Sequence, residues 1–412
     1  MFLLSGLLGK FIKNGTLRIY DASGKLHVFG GISPGPCVTA RINRPGLETS
    51  LFLNPELRAA EAYMNGDLTF EDGSGVADLL MLFSVNRGGL KSHGSQKLLR
   101  KLWRALRRWH QANPVGTAAK NARHHYDVST DLYRLFLDDN MQYSCAYFRD
   151  PERDTLEQAQ HNKLVHIAAK LALKPGMTVA EIGSGWGGLA IHLAKHHGAR
   201  VTAINVSPEQ IKVAREHAAA ASVSDLVEFR EVDYRNVEGQ FDRVVSIGMM
   251  EHVGIAHFDE YFGKVRDLLK DDGYALIHYI GRMSPPGTTG PFIRKYIFPG
   301  GYSPALSEVS ASVERSSLWN ADTEFLRLHY YYTIKHWRQR FAANRDKAVR
   351  IYDERFARMW EFYLAAVELE FLHGSHMVMQ LLLSKSRDAV PIIRDFIVDG
   401  ERQALQPGAT GT

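Results

Sequence analysis

The chain has 412 residues, of which 45% are hydrophobic and 23% are charged, so it is long enough for two or three domains with a large core. Its net charge of +5 favours anionic partners such as nucleic acid, an anionic membrane surface or phosphorylated substrates. Two distant cysteines, Cys37 and Cys145, do not make a disulfide framework and favour a reducing cytoplasm, and no apolar run approaches the ~18–20 residues of a membrane span.

The first 88 residues predict a small mixed α/β domain. The start, "MFLLSGLLGKFI", lacks a basic leader and a cleavage site, so it is typical of a short amphipathic segment rather than a signal peptide. "TLRIYDASGKLHVFGG" predicts a β-hairpin, and "CVTARINRPG" predicts another strand. "NPELRAAEAYMNGDLTFED" predicts a helix followed by an exposed turn, and "GVADLLMLFSV" predicts an apolar helix.

Residues 89–121 are typical of a linker that contains a helix. "KLLRKLWRALRRWHQANP" places leucines and tryptophans at helical spacing, with lysines and arginines on the other face. A basic helix with tryptophans at 97–109 suits an anionic membrane surface. An interdomain helix with a solvated charged face explains the same pattern, and both interpretations stay open.

Residues 122–412 predict an α/β domain with a parallel sheet. Five buried strands alternate with helical patterns: "MTVAEIG", "ARVTAINVS", "LVEFREVD", "FDRVVSIGM" and "GYALIHYIG". Residues 283–315, rich in glycine, proline and aromatics, break this alternation and predict an insertion over the site. Two long helices are expected at 328–344 and 346–373, and "HMVMQLLLS" predicts a final strand.

A glycine-rich turn after the first of these strands predicts a nucleotide-type cofactor. Its glycines fit the G-x-G-x-x-G pattern, which is weak evidence alone: Gly183, Gly185 and Gly188. An NAD site needs an acid at the end of the second strand, where this chain has Asn205 and Val206. Glu181, just before the turn, would repel a pyrophosphate and instead suits an ammonium and a sulfonium. S-adenosylmethionine (SAM) carries both charges, although tight turns and helix capping also explain these residues.

Motifs on both sides of the turn are more specific. "EIGSGWGG" resembles the first motif of SAM-dependent methyltransferases, and Asp233 falls where that class contacts adenine. The flanking motifs are "HHYDVSTDLYRLFLDDNMQYSCAYF" (124–148), "GMMEHVG" (248–254), "HYIG" (278–281), "YIFPGGYSP" (296–304) and "LHYYYTIKHW" (328–337). Together they resemble the cyclopropane-fatty-acid synthases and the mycolic acid cyclopropane synthases over residues 120–384.

The resemblance implies a Rossmann-like methyltransferase with a mostly parallel seven-stranded sheet and a defined cofactor site. It maps SAM contacts onto Tyr143, Ser144, Gly183, Gly185, Asn205, Val206, Gln210, Tyr234 and Ile247, beside Glu181 and Asp233. The chain departs from the usual pattern at Glu181 (commonly Asp), Ser184 (commonly Cys) and Asn205 (often Thr). Each change conserves hydrogen-bonding capacity, so SAM binding is still expected.

The acceptor implied by the family is the double bond of an unsaturated acyl chain of a membrane phospholipid. An alkene has no acidic proton, so catalysis depends on positioning and on excluding water from a carbocation that aromatic rings stabilise. The aromatic residues expected to shield it are Tyr143, Tyr147, Phe148, Tyr296, Phe298, Tyr302, Tyr330 and Tyr331. The family holds a bicarbonate ion that removes the final proton, and its contacts map onto Cys145, Glu251, His278, Ile280 and Tyr330. Taken singly, Cys145 is more typical of a buried small hydrophobe than of a functional thiol, and His278 is equally typical of a structural residue.

The resemblance and the charge also imply partners. We expect peripheral binding to the anionic inner face of the membrane and a homodimer, and we expect neither nucleic acid nor a metal ion as a partner. Three alternatives remain open: a lipid C-methyltransferase giving methyl- or methylene-branched chains, a methyltransferase acting on RNA or a small polar metabolite, and a non-catalytic lipid-binding protein.

Overall fold

The computed structural model describes residues 2–88 and 129–406, which form two compact units. One unit comprises residues 2–88, 288–297 and 334–375, and the other comprises residues 129–287, 298–333 and 376–406. The predicted linker at 89–121, with its basic helix at 97–109, lies outside the described residues. Within the described ranges, no helix is both long and apolar enough to cross a bilayer.

The first unit contains a four-stranded sheet with the order β2-β1-β3-β4. Its strands are β1 (Asn14–Tyr20), β2 (Leu26–Gly30), β3 (Ser33–Ile42) and β4 (Leu68–Glu71). The predicted hairpin is confirmed, since β1 and β2 pair antiparallel and the Asp21 carboxylate accepts from the backbone N–H groups of Ser23 and Lys25. The predicted exposed turn at "LTFE" was wrong, because this segment pairs with β3 as an edge strand too short to show alternation.

Four helices within residues 2–88 pack with this sheet or with each other in the first unit. They are α1 (Phe2–Phe11), α2 (Leu47–Leu53), α3 (Pro55–Asn65) and α4 (Val76–Val85). The predicted helix after "NP" is confirmed as α3, in which Asn54 caps the N-terminus and Pro55 occupies the first turn. The core between sheet and helices is apolar and includes Leu17, Val38 and Leu82.

The second unit is built on a seven-stranded sheet with the order β10-β11-β9-β8-β5-β6-β7. The strands are β5 (Thr178–Ile182), β6 (Arg200–Asn205), β7 (Val227–Glu231), β8 (Phe241–Ile247), β9 (Leu269–Arg282), β10 (Trp319–Phe325) and β11 (His376–Ser384). All neighbouring pairs from β9 to β7 are parallel, whereas β11 runs antiparallel to β9 and β10. The five predicted strands and the final strand are confirmed, but β7 is not buried as predicted, because it lies at the edge of the sheet and exposes Glu228, Arg230 and Glu231.

The remaining helices include those predicted between the strands and others that the sequence analysis did not predict. They are α5 (Thr130–Arg134), α6 (Leu156–Leu171), α7 (Gly188–His197), α8 (Pro208–Ala220), α9 (Phe258–Leu268), α10 (Leu306–Arg315), α11 (His329–Ala343), α12 (Arg345–Ile351), α13 (Glu354–His373) and α14 (Asp395–Ala404). The single helix expected at 346–373 is broken at Tyr352, because Asp353 accepts from the backbone N–H of Phe356 at 2.6 Å and caps a new helix, α13.

The order of the strands determines where a ligand site is expected. From β5 the chain moves through β6 to β7 on one side, and it returns through β8 to β9 on the other. The direction of winding therefore reverses between β5 and β8, and ligands in open parallel sheets bind beyond the carboxyl ends of the strands at such a point. Apolar clusters cover both faces of this sheet, so its strands are held rigidly beneath the site.

Candidate active site

The glycine turn lies at the carboxyl end of β5 and opens α7, as the sequence predicts. Gly183, Gly185 and Gly187 all have positive φ angles, of 86°, 53° and 85°. A side chain at Gly187 would place its Cβ 2.8 Å from the ring of Phe229, so this position needs glycine for space as well as for conformation. A Cβ at Gly185 would meet nothing within 4 Å, because the backbone there borders an open cavity.

This cavity gathers every residue predicted to contact the cofactor. Its lining includes Tyr143, Ser144, Glu181, Gly183, Gly185, Asn205, Val206, Gln210, Asp233, Tyr234 and Ile247. These residues come from the carboxyl ends of β5, β6, β7 and β8 and from the segment before α6. Residues far apart in sequence therefore meet at the point where the topology predicts a ligand.

Glu181 is the most unusual acid in the cavity wall. The side chain is 3% exposed, and its Oε2 has no hydrogen-bond partner among the described residues. Burial raises the pKa of this carboxyl to about 8, although the nearby Lys163 charge acts in the opposite direction. Burial also lowers the pKa of Lys163 to about 8, and its Nζ donates to Ser144 Oγ at 2.7 Å. A cationic ligand would supply the missing partner and favour the ionised carboxylate.

Four other buried polar groups in the cavity wall have no partner within the part of the chain that the structure describes. They are Ser184 Oγ, Trp186 Nε1, Gln210 Nε2 and the Tyr234 hydroxyl. The Gln210 amide is oriented by Asn205, whose Nδ2 donates to Gln210 Oε1 at 2.9 Å, so its NH₂ group is left available. Leaving such groups unpaired is costly, so the cavity is built for a ligand that is polar at several points.

Two predicted cofactor residues already have partners in the protein. Asn205 Oδ1 accepts from the backbone N–H groups of Val206 and Ser207, and thereby shapes the loop after β6. Both oxygens of Asp233 accept from the guanidinium of Arg235, at 2.9 and 2.8 Å, and these contacts lower the pKa of Asp233 against the effect of burial. Arg235 also lines the cavity, although the sequence analysis did not select it.

Of the five residues predicted to hold bicarbonate, Cys145, Glu251, His278 and Tyr330 are buried and Ile280 is half-buried. Glu251 follows β8, where its Oε1 accepts from the backbone N–H of Ile280 at 2.5 Å and its Oε2 is buried without a partner among the described residues. Burial raises the pKa of Glu251 to about 7. His278 lies on β9 opposite Ile247, which lines the cavity.

The other two residues of this set lie on segments that a hydrogen bond connects. Cys145 is buried, which raises the pKa of its thiol, and the thiol donates to the carbonyl of Ala146 at 3.3 Å. The backbone N–H of Ala146 donates to Thr333 Oγ1 at 3.0 Å, one turn beyond Tyr330 on α11. The structure thus joins Glu251 to Ile280, and the Cys145 segment to the helix that carries Tyr330. In the described residues, none of the five belongs to the cavity wall itself.

The aromatic residues expected to shield a carbocation do not form one wall. Tyr143 lines the cavity and packs edge-on against Tyr133, with ring centroids 5.1 Å apart. Tyr147, by contrast, is stacked between His166 and His329, at centroid distances of 4.3 and 4.8 Å. Tyr302 donates to Glu308 Oε2 at 2.6 Å. The aromatic shield that the sequence predicts around the carbocation is therefore limited to Tyr143 and the rings that pack around it.

A buried chain of polar side chains behind His278 was missed by the sequence analysis. We call it the His278 network, and it consists of His278, Gln380, Lys170, Glu324, His166 and Glu401. One sequence signal points to it. Lys163, His166 and Lys170 are spaced as one face of α6, in a helix whose other residues are largely apolar. Among residues 2–88 and 129–406, no group of His, Cys, Asp and Glu side chains is arranged to hold a metal ion.

The comparisons with known proteins agree with this geometry. The family described as mycolic acid cyclopropane synthetase matches residues 115–381. A cyclopropane-fatty-acyl-phospholipid synthase of Escherichia coli strain K12 is 36% identical, covering 84% of this chain and 87% of the relative. A probable fatty acid methyltransferase of Pseudomonas putida is also 36% identical, covering 86% of this chain and 89% of the relative.

A solved structure provides the link to a cofactor. The crystal structure of the mycolic acid cyclopropane synthase CmaA1, complexed with SAH and CTAB, matches with a TM-score of 0.61 and 28% identity. The match covers 66% of this chain and 99% of the CmaA1 chain. The unpaired carboxylate and donors in the cavity of the present chain fit a cofactor with an ammonium and several acceptor atoms. The chain belongs to the mycolic acid cyclopropane synthetase family, and it is a SAM-dependent methyltransferase.

Proposed function

We propose that this enzyme adds the methyl carbon of SAM to the double bond of an unsaturated phospholipid acyl chain and yields a cyclopropane fatty acid. The observation that carries the proposal is the position of Glu251. Its buried carboxylate, with one oxygen bound and one oxygen unpartnered, directly follows the strand whose Ile247 lines the cofactor cavity. The name of the E. coli relative supports the phospholipid substrate.

The cavity residues have distinct tasks in holding the cofactor. Glu181 is assigned to the ammonium group, because it is the buried acid with an unpaired oxygen in the cavity wall. Trp186 and the Gln210 amide are assigned to acceptor atoms of the cofactor. When bound, SAM supplies an electrophilic methyl group on a sulfonium. The protein contributes position and the exclusion of water, which an alkene acceptor needs more than it needs a base.

The second set of residues is assigned to the proton that leaves when the ring closes. Glu251 Oε2 and His278 are the side chains we assign to hold a bicarbonate ion, together with the backbone of Ile280, Tyr330 and the Cys145 segment. In this assignment the ion is the base, and the Glu251 carboxyl and His278 hold it in place. The Cys145 thiol is held protonated by its raised pKa, and Glu251 has a pKa of about 7.

The experiment that tests the reaction uses vesicles of a cis-monounsaturated phospholipid, SAM and the purified chain. Fatty acids released from the vesicles are analysed by mass spectrometry before and after catalytic hydrogenation over a catalyst that saturates alkenes. We expect a product one CH₂ heavier than the substrate that takes up no hydrogen. A product that takes up one equivalent of hydrogen would contradict ring formation.

Bicarbonate is tested separately in buffers depleted of carbon dioxide. The rate should fall in depleted buffer and return when bicarbonate is added. A rate that is the same in both buffers would refute the role of the ion and leave methyl transfer untouched.

A second candidate product is a methyl- or methylene-branched chain. The Pseudomonas relative is named a probable fatty acid methyltransferase, which favours this reading as a specific alternative. It needs the same cofactor cavity, and it differs in which proton leaves the substrate. The uptake of hydrogen in the assay above distinguishes a methylene branch from a ring.

We further propose that the enzyme works as a homodimer bound peripherally to an anionic membrane. The net charge of +5 supports attraction to such a surface, worth about 1 kcal/mol for each basic residue near it. The first unit, to whose residues 1–88 we assign the lipid contact, exposes large apolar side chains at Leu3 and Ile32. Co-sedimentation should be stronger with anionic than with neutral vesicles at low salt, and equal binding would contradict the electrostatic part.

A further inference from the structure

The side chain of Gln380 lies between a histidine and a lysine in the interior of the second unit. Gln380 on β11 is the register partner of His278 on β9, and both are at most 2% exposed. Gln380 Nε2 lies 3.1 Å from His278 Nδ1. Gln380 Oε1 accepts from Lys170 Nζ at 2.8 Å. One amide therefore connects a buried charge to a side chain assigned to the reaction.

The lysine determines which way this amide points. A lysine ammonium has only donors, and Lys170 is held as a donor because it also contacts the carboxylate of Glu324. The group of Gln380 that faces Lys170 must then be the oxygen. Its NH₂ group faces His278 and can only donate, so Nδ1 of His278 must accept.

The remaining members of the His278 network hold the lysine in place. Glu324 Oε2 also contacts His166 Nε2 at 2.7 Å, and His166 Nδ1 contacts Glu401 on α14. Burial lowers the pKa of His278 well below its ordinary value, and the charges of Lys163 and Lys170 act in the same direction, which keeps the ring neutral. A neutral imidazole that accepts at Nδ1 carries its proton on Nε2.

We propose that Lys170 and Gln380 are positioning residues that fix His278 as the Nε2–H tautomer, so that the histidine presents a hydrogen-bond donor to an anion. The identity of that anion as bicarbonate rests on the proposed function. The tautomer of His278 does not depend on the proposed function, because it follows from the contacts of Gln380 alone. The wrong tautomer of a histidine in an active site can cost several orders of magnitude in rate.

The test is nitrogen NMR of the full chain labelled with ¹⁵N-histidine. The His278→Asn variant identifies the resonances of His278 by their loss. In the unsubstituted enzyme, Nδ1 of His278 should give the signal of an unprotonated ring nitrogen, and Nε2 that of a protonated one. The opposite pattern, or a charged ring, would overturn the proposal even if the Gln380→Glu variant did not fold.

The Gln380→Glu variant reverses the expected pattern. A carboxylate beside Lys170 can only accept, so it draws the proton of His278 to Nδ1. We expect kcat to fall at least about 100-fold while the Kd for SAM changes less than about twofold. The matched control is Gln240→Glu, which introduces the same charge at an exposed position and should leave both the tautomer and kcat unchanged. An unchanged tautomer or an unchanged kcat in Gln380→Glu would refute the proposal.

The two readouts separate this proposal from the proposed function. If the labelled enzyme shows the Nε2–H tautomer but forms no modified lipid, the positioning role stands and the lipid reaction fails. If it forms the cyclopropane product with the proton of His278 on Nδ1, the lipid reaction stands and the positioning role of Lys170 and Gln380 fails.

Discussion

The cofactor cavity and the His278 network are both buried and polar, but they differ in how completely their groups are paired. In the cavity wall, Glu181 Oε2 and the NH₂ group of Gln210 have no partner among the described residues. In the His278 network, Gln380 is bonded on both sides, and Glu324 accepts from both Lys170 and His166. The open polar groups of the cavity need a ligand as their hydrogen-bond partner, whereas Gln380 and Glu324 find their partners within the protein.

This difference has an energetic consequence. An unpaired buried group costs about 1–3 kcal/mol, so the cavity gains most from a ligand that pairs its open groups. A fully paired network instead loses stability when any member is removed, because the change leaves another polar group unpaired. Substitutions in the cavity should therefore change binding, and substitutions in the network should change stability.

Glu251 lies between these two cases, with one oxygen paired and one open, and its loss should have the largest effect. We expect Glu251→Gln to reduce turnover about 10²–10⁴-fold, because an amide cannot exchange a proton with the bound ion and so cannot hold it as the base for the substrate proton. The Kd for SAM, measured by calorimetry, should stay unchanged. Glu238→Gln removes the same charge at an exposed position and should keep full turnover. Turnover within threefold of the unsubstituted enzyme in Glu251→Gln would remove Glu251 from the site.

Removal of Lys170 should have the next largest effect. Lys170→Met leaves the oxygen of Gln380 without its donor and Glu324 without one of its cations. We expect the free energy of unfolding in urea to fall by about 3 kcal/mol, since a buried partner is lost. Lys174 is exposed, so Lys174→Met provides the control with the same chemical change. Equal stability of the two variants would show that the network does not stabilise the fold.

A change at Glu181 should affect binding more than stability. Glu181→Gln removes the carboxylate that we assign to the ammonium of SAM, so the Kd for SAM should rise about 10-fold or more. The kcat at saturating SAM should stay within a few-fold of its original value, because the substitution leaves the Glu251 side untouched. A lower kcat with an unchanged Kd for SAM would contradict the assignment of Glu181 to cofactor binding.

The smallest effect concerns a cluster of histidines on α6 and α7. His192 lies within 5.9 Å, between ring centroids, of His161, His196 and His197. Burial lowers the pKa of His192 well below its ordinary value, and the neighbouring histidines act in the same direction. The unfolded chain then binds more protons than the folded one as pH falls through about 6.5, so stability should decrease with acidification in that window.

The contribution of His192 is measured by urea unfolding at a series of pH values. His192→Leu should make stability less dependent on pH between about 7.5 and 5.5. His217, on α8, provides the matched control, since His217→Leu should keep the original dependence. An unchanged dependence in His192→Leu would mean that this histidine does not titrate differently in the two states.

The parts of the fold that the sequence predicts are those set by local pattern. β5, β6, β8 and β9 each contain a run of buried, mostly apolar residues, and α7 begins after a glycine-rich turn that follows one of these strands. The strand β10 was missed because "WNADTEF" lies at the edge of the sheet and is polar. The break at Asp353 was not predicted. In the sequence, an aspartate that caps a new helix looks the same as an aspartate on the exposed face of one continuous helix.

The residues of the candidate site also differ in whether the sequence predicts them. Most cavity residues were predicted through the resemblance to the cyclopropane synthase family, and the parallel sheet brings them into one cavity. Gln380 and Glu324 were not found, because they are 210 and 154 residues away from Lys170 and each is an ordinary polar residue in its own segment. Only pairing across the sheet makes them part of one network, and no short pattern contains that information.

The most direct test of the account is the fate of the labelled methyl carbon of SAM. With [methyl-¹³C]SAM and vesicles of a cis-monounsaturated phospholipid, the carbon spectrum of the extracted lipid should show the label as a ring CH₂ bonded to two acyl carbons. Label recovered only in a water-soluble acceptor, or on the lipid headgroup, would contradict the assignment of an acyl double bond to this site.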